Sequence, residues 1–257
     1  MILDALATAA SENLLHTYFE LGRASARSKI WRENGFQACV GDIVHPICNF
    51  AAGLDLDYGS ANRLARIALD REIFNVYATP MDRPDNLGEL LAHEGFHRSF
   101  RLVQMIAQPG GQKPKNILSR ATTRYDRLRI ALFMVDQFFA KQNQRFRLQV
   151  ADATARATTL ELLAMKREGK IRGGAMVCLR HGMAGVYNVC VDESLRGLGI
   201  GTSIVREILA VCSVKNVPAT LQCDNKLQAW YNAEGFLPVG EIDVFALSKP
   251  KGIVIMQ

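Results

Sequence analysis

Glu94-Gly95-Phe96 returns 140 residues later as Glu234-Gly235-Phe236, and Gly35, Cys39 and Asn49 return as Gly174, Cys178 and Asn188 at a spacing of 139. This recurrence limits the fold more than any single motif, because it lays one supersecondary plan down twice within 257 residues. One residue of drift between the two sets is what a single loop deletion produces. The larger spacing also places Gly59 under Gly199 and the apolar run "IFNVYAT" near "VPATLQC". Two similar α+β halves are therefore expected.

Local patterning supplies the elements of each half. "SENLLHTYFELGRASARSKIWREN" predicts a helix with Ser11 as its N-cap, Leu14, Leu15, Tyr18 and Leu21 as its apolar stripe, and Asn34-Gly35 as its stop. "FQACV" and "HPICNFA" read as strands, followed by helical "SANRLARIALDRE", strand "IFNVYAT", a short helix "LGELLAHE" and strand "SFRLVQMIA". "QPGGQKPKN", Gln108 to Asn116, concentrates glycine, proline and lysine with almost nothing to bury, so it reads as a connection. The expected division is 1–107, a linker over 108–119, and 120–257. Past the linker, "ATTRYDRLRIALFMVDQFFA" predicts a long amphipathic helix and "RFRLQV" a strand. "GGAMVCLRHGMAGVYNVCV" then reads as a hairpin turning near His181-Gly182, which makes the sheet at least partly antiparallel.

Composition narrows the class of protein. Apolar residues make up 49% of the chain, enough for a substantial core, yet runs such as "IALFMV" are far shorter than the roughly 20 residues of a membrane helix. The amino terminus, "MILDALATAASENLL", has no basic segment leading a hydrophobic one. The expectation is a cytoplasmic protein with no membrane partner. Six cysteines form no C-x-x-C pair and sit mostly in apolar runs, as buried thiols do in a reducing compartment, so neither disulfides nor a cysteine zinc site is expected. The net charge is +6, and twelve lysines and arginines lie between Arg98 and Arg156 against only Asp126, Asp136 and Asp152. No aromatic-interleaved basic motif or recognition helix accompanies them, which argues against nucleic acid and for a solvated face or a general attraction for a polyphosphate.

"RGLGIG", Arg196 to Gly201, stands between the apolar run "GVYNVCV" and helix-like "TSIVREILAVCSV". A P-loop would close on lysine followed by serine or threonine, which is absent. A dinucleotide fingerprint starting at Gly197 would need glycine where Thr202 stands, and would belong to a parallel βαβ unit. What remains is a strand ending in a run of backbone amides that open a helix, with glycines allowing a diphosphate to approach the N–H groups and the positive end of the helix dipole.

These residues resemble motif A of the GNAT acyltransferases, [QR]-x-x-G-x-[GA], met here by Arg196, Gly199 and Gly201. Downstream, "NKLQAWYNAEGF" resembles the family's next segment, with Asn225 followed six residues later by Tyr231 and then by Gly235-Phe236. The clear resemblance runs from about Phe146 to Leu247, and a fainter one reaches the first half through the repeat, which makes 1–107 a degenerate copy. It implies a mixed, largely antiparallel central sheet flanked by helices. It further implies acetyl-CoA or another acyl-CoA as co-substrate, with no metal. Amides of Gly197, Leu198, Gly199, Ile200, Gly201 and Thr202 would hold the pyrophosphate, and Arg196 and Asn225 belong to the same cofactor site. Val189, Cys190 and Val191 would bind the pantetheine arm like an added strand, which requires their strand to splay from that of Leu221. The acceptor would be a small-molecule or peptide amine. Tyr231 is the candidate acid for the departing thiolate, with simple packing of its helix as the alternative.

The general base stays open. "AGVYNVCV" contains no carboxylate; Asp192 and Glu193 lie so near the loop that solvated or capping roles suit them better. Asp224 is a candidate that could equally be a surface carboxylate, and Tyr187, Asn188 or a water chain remain. The missing strand carboxylate also keeps a non-catalytic acyl-CoA-binding regulatory module in view, and the first half could shape the acceptor cleft or a homodimer contact. "HEGFH", His93 to His97, satisfies the H-E-x-x-H of zinc peptidases, but Gly95 falls where the repeat ends a helix, so His97 is expected on the following strand.

Overall fold

The computed structural model describes residues 2–247; the stretch 248–257, which closes the expected second half, lies outside them. One order of elements is laid down twice. Helix α1 (Ile2–Ala24) leads strands β1 (Lys29–Glu33), β2 (Phe36–Val40) and β3 (Asn49–Ala52), then α2 (Tyr58–Leu69), β4 (Asn75–Ala78), α3 (Leu87–His93) and β5 (Phe96–Ala107). After β6 (Leu118–Arg120), the helices α4 (Arg124–Phe138) and α5 (Gln144–Arg156) lead β7 (Glu161–Arg167), β8 (Lys170–Arg180) and β9 (Met183–Val191). The run ends with α6 (Ile200–Lys215), β10 (Ala219–Cys223), α7 (Asn225–Ala233) and β11 (Leu237–Leu247).

All eleven strands join one sheet in the order β1-β2-β3-β4-β11-β5-β10-β9-β8-β7-β6. Each run gives its last strand to the other: β11 lies between β4 and β5, and β5 between β11 and β10. The two exchanged strands pair antiparallel along almost their whole length, from Leu237↔Ile106 to Leu247↔Phe96. Only β3/β4 and β9/β10 are parallel, so the sheet is mixed and largely antiparallel, as expected.

Alternation along the strands sends side chains to two different cores. Cys39 and Phe50 join α1, α4 and α5 in a cluster that spans both halves, whereas Ala38, Val40 and Ala51 face α2 and α3. On that opposite side a separate cluster gathers Ile204 and Ile208 of α6, Tyr231 of α7, and Leu221 and Val186 of the sheet. No helix among the described residues is long and apolar enough to cross a membrane.

Four local expectations are corrected. "RFRLQV" lies in α5, not in a strand: a six-residue alternation fits either period, and the Asn143 side chain, accepting the Phe146 amide at 2.9 Å, starts a helix whose small residues Ala151, Ala153 and Ala155 are buried. Ser11 is no N-cap but a buried mid-helix residue whose hydroxyl donates to the Ala7 carbonyl at 2.9 Å. Helix α1 ends at Ala24 rather than at Asn34-Gly35, which instead turns the β1–β2 hairpin, Gly35 having φ +93°. "HPICNFA" opens as a 3-10 turn, Pro46–Cys48, before β3 begins. The 108–117 stretch carries no helix or strand, and the Glu207 carboxylate on α6 anchors it by accepting the amides of Lys115 (2.8 Å) and Asn116 (2.6 Å).

Asn13 fixes α1 to the second half. Its Nδ2 donates to the carbonyls of Cys178 (3.1 Å) and Arg180 (2.9 Å), and its Oδ1 accepts the Tyr187 hydroxyl at 2.7 Å. Gly185 makes room for this group, because a Cβ there would lie 2.5 Å from the Tyr187 ring and within the radius of Asn13 Oδ1. Gly185→Ala is expected to lower stability by about 2–3 kcal/mol, read as a fall in the urea midpoint; an unchanged midpoint would mean that α1 is not seated this way.

A cleft between diverging strands

Strands β9 and β10 are partners only over Ala184↔Ala219 and Gly185↔Thr220, although β9 runs on to Val191 and β10 to Cys223. Beyond that vertex they separate. The register of β9 against β8 slips between Gly174↔Cys190 and Met176↔Tyr187, with Asn188 at φ +51°; an extra residue of this kind bends its strand. The edge of Val189, Cys190 and Val191 that faces β10 therefore has no strand partner, which is the splay that added-strand binding requires. The first half has no such opening. There β3 and β4 pair from Phe50↔Asn75 to Ala52↔Tyr77, the end of β3. The chain beyond is occupied: Leu54 N donates to Asp82 Oδ1 (2.7 Å), Arg83 N to Leu54 O (2.9 Å) and Leu56 N to Arg83 O (3.0 Å).

The glycine loop lies at the mouth of the cleft. Asp192 accepts from Ser194 N (3.1 Å) and Oγ (2.7 Å) and pairs with Arg172 at 2.8 Å; these bonds hold its carboxyl below the usual range and give it a capping role. Gly197 and Gly199 take φ +81° and +74°, a region costly for side chains. Helix α6 starts at Gly199 with no side-chain cap, and its first intrahelical bond runs from Ser203 N to Gly199 O at 3.0 Å. The amides of Gly197, Leu198, Gly199, Ile200, Gly201 and Thr202 have no acceptor among the described residues. Such donors at the positive end of a helix attract an anion. Arg196 reaches from the loop to Val191 O (3.4 Å) and to Gln137 Oε1 on α4 (3.3 Å). At the matching start of α2, the Asp57 carboxylate accepts Ser60 N at 2.7 Å while Ser60 Oγ accepts Asp57 N at 2.8 Å. That helix supplies its own anion.

Helix α7 flanks the loop, and Trp230 Nε1 donates to Thr202 Oγ1 at 3.3 Å. Asp224 is exposed and caps α7 by accepting Lys226 N at 2.8 Å; Asn225, the first residue of that helix, is exposed beside it. Tyr231 is buried among Leu221, Cys223 and Phe236. Burial pushes its phenol up to about 12, and its hydroxyl has no partner among the described residues. Tyr187 is also buried, and its hydroxyl already donates to Asn13; burial pushes its pKa far up. His93 ends α3 and His97 lies on β5, with Gly95 at φ +88° between them, so the two histidines share no helical face.

Two features escaped the sequence reading. Gln222 on β10 points away from the face of Leu221 and Cys223, and both atoms of its side-chain amide are buried without a partner among the described residues; an amide side chain inside "PATLQC" was its only sequence signal. The other is a cavity of about 250 Å³ between α1, the Pro46–Cys48 turn, α4 and α5, with Asn188 of β9 at its edge. Its walls come from segments far apart in the chain; of them only His45, beside Pro46, reads from the sequence as able to line a cleft between the halves, with a structural role as the alternative.

Residues 128–236 match the sequence profile of the acetyltransferase (GNAT) family, a span that begins before the Phe146–Leu247 resemblance and ends within it. Comparison with curated proteins finds no match. Among solved structures, a GCN5-related N-acetyltransferase from Kribbella flavida aligns with a TM-score of 0.62 at 14% identity, covering 95% of this chain and 95% of that one. A putative GNAT acetyltransferase from Novosphingobium aromaticivorans aligns at 0.57 and 15% identity over 86% and 92% of the two chains. A tandem GNAT protein from the clavulanic acid biosynthesis pathway aligns at 0.55 and 14% over 84% and 79%. At these identities the likeness is one of fold. The family itself rests on the profile match, supported by motif, open helix start and splayed strands in one place: residues 128–236 form a domain of the GNAT acetyltransferase family.

Proposed function

We propose that the protein is an acyl-CoA-dependent N-acyltransferase whose chemistry lies in the second half. The observation that carries this reading is the set of partnerless amides from Gly197 to Thr202 at the mouth of the cleft between β9 and β10. A diphosphate would satisfy those amides, and the pantetheine amides would pair with the open edge of Val189 to Val191, as a third strand would. The thioester would then sit near the vertex, by Asn188. The lone pair of a neutral amine attacks the thioester carbon and the C–N bond forms. The C–S bond breaks with its electron pair going to sulfur, the nitrogen loses one proton and the thiolate gains one. Tyr231 is proposed as the donor of the latter, since its phenol keeps its proton until about pH 12. Asp224 is tied to its helix cap and suits a base less well. The first half is read as a copy in which Asp57 and the 82–83 segment fill the phosphate and pantetheine positions. A cytoplasmic location and an acetyl donor accord with this reading.

A second reading is an acyl-CoA-binding module without turnover, favoured by the lack of any carboxylate on β9. Thiol release with a panel of amines separates the two, since a binding module would release none.

Gly199→Glu places bulk and negative charge against the loop amides. It is expected to weaken coenzyme A binding by about 100-fold or more, measured as loss of the acetyl-CoA-induced rise in melting temperature, whereas His93→Ala leaves that rise intact. Tyr231→Phe should lower kcat by about 100-fold with CoA affinity unchanged. Because the phenol's pKa is raised, the wild-type kcat profile should show no alkaline fall below about pH 11. A kcat for Tyr231→Phe equal to that of the wild type would assign the ring to packing alone.

A further inference from the structure

The cavity of about 250 Å³ beside Asn188 adjoins the part of β9 where the acyl carbon would lie. No charged side chain lines it. Its walls are aliphatic and aromatic, including Met134, Phe138 and Phe139 of α4, Val150 and Ala153 of α5, and Ile47 of the first half. Three polar side chains break this surface. Thr154 spends its hydroxyl proton on Val150 O at 2.9 Å, and Asn188 stands at the edge. The third is His45, from the first half.

The geometry fixes what His45 can do. Its Nδ1 accepts the Ile47 amide at 3.1 Å, so in the neutral ring the proton sits on Nε2. Phe139 and Phe146 flank the ring, with centroids at 5.2 and 5.9 Å, and burial pushes its pKa down to about 4. It is therefore an uncharged donor at neutral pH. Nε2 has no partner among the described residues, yet it keeps accessible surface and is not sealed in the core. An acyl chain laid against it would strip that N–H of water and return nothing. A second charge on the acceptor, such as a polyamine's further ammonium groups or a carboxylate, would find no counter-charge inside the cavity. A cavity of roughly 150 Å³ holds benzene, so this one takes a larger body.

On the transferase reading, we propose that this cavity is the acceptor site and that it takes an arylalkylamine: a neutral aromatic body carrying a hydrogen-bond acceptor that meets His45 Nε2–H, with its primary amine directed past Asn188 to the acyl carbon. The first half thus supplies a specificity-determining side chain to a reaction carried out by the second.

The test is kinetic, on the full chain with acetyl-CoA, using phenylethylamine, its ring-methoxy derivative and spermidine. Both aromatic amines should be acetylated with kcat/KM at least about 100-fold above spermidine. His45→Phe keeps an aromatic ring and removes both the Nε2–H donor and the Nδ1 acceptor of the Ile47 amide, so its effect is read as the difference between the two aromatic amines. It should raise KM for the methoxy substrate about tenfold more than KM for plain phenylethylamine. Ala153→Phe and Val150→Phe, which fill the cavity, should abolish use of both aromatic amines while acetyl-CoA still raises the melting temperature. A preference for spermidine would overturn the assignment, as would an equal effect of His45→Phe on both aromatic amines. Cavity-filling variants that spare amine kinetics but abolish use of octanoyl-CoA would assign the space to the acyl chain instead. Failure of acetyl-CoA to bind the wild-type protein would remove the transferase reading, and this assignment with it; acetyl-CoA binding with the wrong amine profile removes only the latter.

Discussion

Backbone N–H and C=O groups must be partnered, and the fold turns on one place where they are not. Past Gly185↔Thr220, β9 and β10 each keep a strand on their outer side and lose the one between them. Sheets rarely leave such edges open in their interior. What holds them apart is the slip in register at Asn188 together with the seating of α1, whose Asn13 grips the β8–β9 hairpin where Gly185 leaves room. The open edge, the loop and α6 follow one another without interruption, so a ligand with a peptide-like arm and a polyanionic head meets both needs at once.

The exchange of β5 and β11 binds the two runs more tightly than the sequence division suggests. A cut in the 108–117 stretch would leave β5 on one piece and both its neighbours, β10 and β11, on the other. Helices α1, α4 and α5 share a single core that includes Cys39 and Phe50 of the first half and Met176 and Cys178 of the second. The cavity next to Asn188 arises within that shared layer, which is why a turn near residue 46 and a residue of β9 wall the same space.

Much of this was legible in the sequence where local chemistry decides the outcome. Strand β9, the loop, α6, β10 and α7 follow from a buried apolar run, glycines at positive φ and a periodic helix, and the His181-Gly182 hairpin from its turn residues. Local reading failed where two periods fit equally or where burial overrides propensity. "RFRLQV" alternates over too few residues to exclude a helix, and Ser11, a good cap by type, is instead buried against Gln104. The tautomer of His45 is set two residues on, by the Ile47 amide, but the cavity and the stranded amide of Gln222 are tertiary facts. Residues remote in sequence create them, and no window of sequence contains them.

The asymmetry between the halves is sharpest in which group satisfies the first turn of a helix. In α2, Asp57 turns its own carboxylate onto the Ser60 amide, so a phosphate arriving there would meet a negative charge and donors already used. Under the 140-residue spacing Asp57 corresponds to Gly197, which has no side chain to offer, and the amides that follow stay free. The start of the helix is thus closed by a carboxylate in one copy and open in the other, and the Leu54, Asp82 and Arg83 bonds close the strand edge of the first copy as well. Closing alone would leave the first half a mere support. But the first half also sets its 3-10 turn against α4 and α5, and the titratable ring in the cavity wall comes from it.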